Sequence, residues 1–196
     1  MTETIVTKEL FEELFAKIVE SELCRAGFQR KGRNLLLCQD ELQIALLRAG
    51  GKLQVNHGVT HILCLRHAFL RELKELVVLS KPSTVADDYP MLYNPELLEQ
   101  ETPQQWAVYQ VDRFNPPYGC FFFGASNEEE VARRLDRLVY QIRYRWLPWA
   151  LTLRPENVAE QLEKCKTDWW VARIWLEDYE QFGVLGFGEQ RNRKLI

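Results

Sequence analysis

Residues 27–61 read GFQRKGRNLLLCQDELQIALLRAGGKLQVNHGVTH, and the punctuation of this stretch decides the fold. Gly27 suits the left-handed position that closes a helix. Phe28 opens a strand that passes through a basic knot, Arg30, Lys31 and Arg33, and continues in Leu35, Leu36, Leu37 and Cys38. Gln39-Asp40 is a short polar turn. Leu42, Ile44 and Leu46 then alternate with Gln43 and Ala45, the period of two that marks a half-buried strand. Gly50-Gly51 is a two-residue hairpin signal, because both glycines accept positive φ at little cost. Leu53, Val55, His57 and Val59 alternate with Gln54, Asn56 and Gly58 in a third strand. The stretch therefore predicts a three-stranded antiparallel meander.

On its N-terminal side, Leu10, Phe11, Leu14, Phe15, Ile18, Val19 and Leu23 recur at helical spacing, which predicts a helix over 7–26 with Thr7 as its N-cap. On the other side, Leu65, Phe69, Leu73, Leu76 and Val77 favour a helix within 63–79. Residues 80–104 contain Pro82, Pro90, Pro95 and Pro103 and read as a long irregular connection with one short helical turn near 95–100. Trp106–Val111 and Cys120–Phe123 read as strands. Ser126, with Glu129 three residues on, matches a capping box for a helix over 127–146 that Pro148 limits. Pro155 opens a helix through Cys165, and Asp168 caps a last one that Gly183 ends. The expected fold is α+β: one domain over 1–196, an antiparallel sheet of about five strands packed with four to five helices.

The chain has 196 residues, 46% hydrophobic and 27% charged, a globular composition long enough to bury a full core without disulfide or metal. The formal net charge of −3 gives nucleic acid or anionic membrane no overall attraction, so any such contact needs a local patch. Five scattered cysteines (Cys24, Cys38, Cys64, Cys120 and Cys165) with no C-x-x-C pair fit reduced thiols in the cytoplasm. No signal-peptide pattern opens the sequence, and no apolar run approaches the ~20 residues of a membrane helix.

Three segments in order, GFQRKGRNLLL, LQVNHGV and WLPWALTLRPENVAEQL, resemble the bacterial DUF4304 family, whose members carry a GFxxKGRxF-like motif, a VNLGV-like strand and a late LPFL…spE segment. Gly27, Phe28, Lys31, Gly32 and Arg33 match the first. Val55, Asn56, Gly58 and Val59 match the second, and Leu147, Pro148, Pro155 and Glu156 approximate the third. Leu35 or Leu36 stands where the family has an aromatic, and His57 where it has a hydrophobic residue. The resemblance implies an α+β fold and carries over no catalytic residue, because that family is one of unknown function.

Four groupings carry chemistry. His57, His61, Cys64 and His67 invite a zinc reading, but on a strand residues four apart lie ~13 Å apart, too far for one ion; no metal and no cofactor is expected. Arg30, Lys31 and Arg33, with Arg25 nearby, are either an anion site or charge that blunts an edge strand. Six tryptophans, five in the last third, are core residues or a partner surface, with one of Trp169 and Trp170 a candidate for exposure. No serine sits in G-x-S-x-G, and nothing selects Cys64 as a nucleophile. The leading expectation is a non-enzymatic, cytoplasmic protein–protein interaction module, with an immunity-like or defence-accessory role as its analogy. Its candidate binding residues are Arg30, Lys31, Arg33, His57 and Trp170. The second expectation is an anion or nucleic-acid-backbone binder using Arg30, Lys31 and Arg33. The third is a hydrolase.

Overall fold

A computed structural model describes residues 6–49, 58–71, 81–106, 120–122, 127–165 and 170–183. The first helix forms where its apolar stripe requires. It runs as α1 (Lys8–Phe15), a π-helical stretch (Ala16–Glu20) and α2 (Ser21–Arg25). Thr7 Oγ1 accepts the Leu10 N–H at 3.2 Å as its cap. Gly27 ends it at φ +99°, where an added Cβ would stand 3.3 Å from Leu37 Cδ1.

The basic knot is itself a hairpin rather than one continuous strand. β1 (Gln29–Lys31) pairs antiparallel with β2 (Asn34–Gln39), Lys31 opposite Asn34, across Gly32-Arg33. Gly32 takes φ +62°, a conformation open to glycine without penalty. The Gln39-Asp40 turn forms as its polar residues suggest, with Asp40 at φ +51°. β3 (Leu42–Arg48) then pairs with β2 on one side and with β4 (Gly58–His67) on the other.

β4 corrects two expectations. Residues 63–67 are strand, not the start of a helix; 72–80 lie outside the described residues. Arg48 faces His61 across the ladder, and the Ala49 N–H bonds Thr60 O at 2.8 Å. A two-residue turn at Gly50-Gly51 would instead set Arg48 opposite Leu53, so the observed partner of Arg48 differs from the expected one. Residues 50–57, His57 among them, lie outside the described residues.

The sheet is antiparallel throughout, in the order β1-β2-β3-β4-β5, with β5 (Met91–Tyr93) inside the segment expected to be irregular. β6 (Cys120–Phe122) pairs with Gly58–Thr60 at the start of β4. The 3₁₀ turn at Leu98–Gln100 falls where a helical turn was anticipated. Trp106 closes the short helix α3 (Pro103–Trp106) rather than opening a strand, and 107–111 are outside the described residues.

Helix α4 (Glu128–Tyr140) is capped by Asn127, whose Oδ1 accepts the Glu130 N–H at 2.8 Å, one residue later than the Ser126 box. Pro148 does not stop the helix, which continues through a π-helical stretch (Gln141–Trp146) into α5 (Leu147–Ala150). The wider turn relieves the clash between a proline ring and the carbonyl one turn back, the usual obstacle to proline within a helix. α6 (Pro155–Cys165) and α7 (Trp170–Asp178), the latter extended by a π turn to Gly183, complete the order. The expected cap Asp168 is outside the described residues. Among the described residues no helix is long and apolar enough to cross a membrane.

Both faces of the sheet are covered. Leu35, Leu37, Ile44, Leu46, Leu63 and Leu65 face the helices, packing with Phe11, Leu23, Leu135, Ile142 and Trp146. The opposite face carries a smaller cluster of Leu36, Ala45, Leu47, Ile62 and Cys64, which Tyr89 closes over. Arg66 is fully buried on that side, donating to the carbonyls of Asp88 (3.0 Å) and Leu70 and lying over the Tyr89 ring. The architecture is thus the expected α+β, with an antiparallel sheet and helices on one face.

Candidate functional site

The three groups proposed for recognition part company in space. Trp106, Trp146 and Trp175 are fully buried, and Trp149 is half-buried against the first two. These tryptophans are core. Trp170 begins α7 and only its backbone is described; Trp169 lies outside the described residues. The segment 81–106 is largely interior too: Tyr89, Met91, Leu98 and Trp106 are buried, and Tyr93 donates its hydroxyl to Trp106 O at 2.8 Å.

The histidine cluster is dispersed by the pleat of β4. His61 and His67 share the helix-facing side but lie six residues apart, ~20 Å along a strand. Cys64 points to the opposite face. Among the described residues, no group of three or more His, Cys, Asp and Glu is placed to hold a metal ion. Both histidines are deeply buried, at 3% and 1% exposure. Burial is the first cause of depressed basicity in each. It carries His61 down to about 3, helped by the Arg48 charge, and His67 down to about 4, against a smaller opposing effect of the Leu153 backbone.

The basic knot is the group that survives, and it acquires partners the sequence did not indicate. Arg25, Arg30, Lys31 and Arg33 are all exposed at the corner formed by the end of α2 and the β1–β2 hairpin. Beside that corner, a groove of about 60 Å³ lies between the first helix and the hairpin. Arg30, Arg33 and Arg48 line it, with Glu12, Glu20, Asn34, Phe15 and His61. Lys31, one residue from Arg30 on a strand, projects to the other side and is not part of the lining.

Pairing within the groove is specific. Arg30 Nη1 meets Glu20 Oε1 at 3.0 Å, and its Nε donates to Gly32 O at 2.9 Å. Arg48 pairs with Glu12 through Nη1, and its backbone N–H donates to Asn34 Oδ1 at 3.0 Å. The Arg48 guanidinium also lies 6.0 Å from the centre of the Phe11 ring. His61 stacks on Phe15 with ring centres 4.6 Å apart and planes 4° apart, so the floor of the groove is an aromatic pair. Arg33 makes no ion pair among the described residues. Three guanidiniums against two carboxylates, with His61 neutral, leave one positive charge in excess.

A second, wider cleft of about 220 Å³ lies between 95–100 and α4. Its charges are matched: Arg134 pairs with Glu96 at 2.7 Å and Arg137 with Glu99 at 3.5 Å. Those pairs tie the connection to the helix and leave no excess for a ligand.

Among the described residues, the lining of the basic groove holds no serine, threonine or cysteine. Arg48, Glu12 and Glu20 line the groove without having been singled out in the sequence, and His61 joins them from the histidine cluster. Only the pairing register of β3 with β4 brings Arg48 and His61 face to face, and that register is set beyond the local pattern. No family model, no curated protein and no solved structure matches the chain.

Proposed function

We propose that the chain is a non-enzymatic binding module whose basic corner takes an acidic surface of a partner protein. The observation that supports this reading is the concentration of Arg25, Arg30, Lys31 and Arg33 at one exposed corner of an otherwise acidic molecule, while the tryptophans described and the 81–106 segment are used up in the core. The corner sits on the edge strand of the sheet, where lysine and arginine discourage strand addition, so contact through side chains fits better than β-augmentation. Nucleic acid is the weaker reading of the same charges. The aromatics described beside them, Phe15, Phe28 and His61, are each no more than 8% exposed and offer little stacking face. Unpaired thiols at Cys24, Cys38 and Cys64 support a reducing, cytoplasmic setting. An immunity-like or defence-accessory role is one context for such capture, and membership of the DUF4304 family stands beside it on the residues of the knot, adding no activity.

The test is fluorescence anisotropy of a labelled glutamate-rich peptide against the protein and its Arg30→Glu/Lys31→Glu/Arg33→Glu variant. Reversal of three exposed charges should weaken binding by about tenfold or more, and added salt should weaken the unmodified protein likewise. An oligonucleotide that binds more tightly than the peptide, or peptide binding indifferent to both salt and reversal, would overturn this reading.

A further inference from the structure

Resting on that reading, we infer that the groove between the first helix and the β1–β2 hairpin is a socket for a single carboxylate group, such as one acidic side chain of the partner. Its charge fits a monoanion. The excess in the lining is one positive charge, which one carboxylate neutralises, whereas a phosphate dianion would bring a second negative charge against Glu12 and Glu20.

The donors suit a carboxylate as well. Arg30 and Arg48 each hold their glutamate through Nη1, and among the described residues neither Nη2 has a partner. Arg33 is not committed to any carboxylate. Guanidinium groups lining one groove are suited to recognise planar oxyanions in forked geometry. The floor strengthens them: the Phe15–His61 pair is apolar and nearly dry, and charge–charge attraction grows as the local dielectric falls. His61 adds a polar atom where one is costly to leave idle. Among the described residues its Nδ1 is buried without a partner, and the ring lines the groove.

The experiment follows the His61 ring by NMR at constant ionic strength while acetate, inorganic phosphate or chloride is added, and measures in parallel whether acetate displaces the glutamate-rich peptide. Acetate should shift the His61 signals and raise its pKa from about 3, because an anion beside the ring favours the imidazolium. Arg33→Gln, an exposed change with little bearing on folding, should weaken acetate by about tenfold, as expected for loss of one charge-assisted contact. Arg173→Gln, exposed on the remote helix α7, should not. His61 signals unmoved by acetate up to about 0.1 M would overturn the socket, as would a site at which phosphate binds and acetate fails to compete. Failures are separable. If the peptide binds and is lost on reversal of the knot, yet ignores acetate and Arg33→Gln, the socket falls and the acidic-partner reading stands. If acetate binds in the groove but the peptide does not bind, the partner reading falls and the socket remains.

Discussion

His61 and His67 couple the fold to acid pH. Each is neutral and buried when folded, with basicity brought down from 6.5 to about 3 and about 4. The unfolded chain therefore takes up protons below pH 6.5 that the folded chain refuses. Stability is at its full value above that pH and falls as pH drops toward 4, by up to about 1.4 kcal/mol per pH unit for each histidine. His61→Phe keeps the stack on Phe15 and removes one titrating group. Urea unfolding of both proteins between pH 4 and 6.5 should show a shallower decline for the variant; parallel declines would mean that the ring is protonated in the folded state. Neither burial was legible from sequence. His61 and His67 belong to a run, THILCLRH, that alternates no polar with apolar residues, because both sides of the strand are interior.

That interior position is also why β4 was mistaken for helix at the scale of elements. A half-buried strand announces itself by alternation, as β3 does in Leu42, Ile44 and Leu46; a strand buried on both faces does not. Leu65 and Phe69, four residues apart, then mimic a helical stripe. By contrast the first helix, the Gln39-Asp40 turn and α6 carry their own local signals (a cap, a turn pair, an N1 proline), and these were readable within a residue or two. The cap of α4 slipped by one because Ser126 and Asn127 are equivalent cap formers and only packing chooses between them. Docking of α7 was not readable at all. It depends on Asp178, fully buried, which accepts from Arg71 Nε at 2.7 Å and from the Arg71 backbone N–H at 2.9 Å across 107 residues of chain. Asp178→Ala leaves two donors without their acceptor and should cost about 3 kcal/mol, with the loss seen as a lower urea midpoint and faster hydrogen exchange in α7 ahead of the sheet. Exchange accelerating uniformly across the protein would show that the helix and the sheet open as one unit.

Across the whole molecule, the two faces of the sheet are protected by unlike means, and this sets the order in which they open. The helix-facing core is large and continuous, from Phe11 through Leu63 to Trp175. Among the described residues the other face is shielded by one short cover, the 81–89 segment. Tyr89 is fully buried over Ile62 and Cys64 and donates its hydroxyl to Ser83 O at 2.7 Å, while Ser83 Oγ donates to Asp88. Such a cover can lift without unfolding the helices, because few apolar contacts hold it. Cys64 reports that event. Burial raises its thiol well above the ordinary cysteine range, and it lies under Tyr89, whereas Cys24 and Cys38 are exposed on the surface. Thiol labelling read by peptide mass spectrometry should modify Cys24 and Cys38 quickly and Cys64 only at the rate of opening. Tyr89→Ala removes the cover's main anchor, a change of about 3–5 kcal/mol for a large buried aromatic. It should speed Cys64 labelling by at least about a hundredfold at urea concentrations that leave α1 and α4 intact by circular dichroism. Cys64 reacting in step with the loss of helix in both proteins would instead mean that the sheet's two faces share one cooperative core.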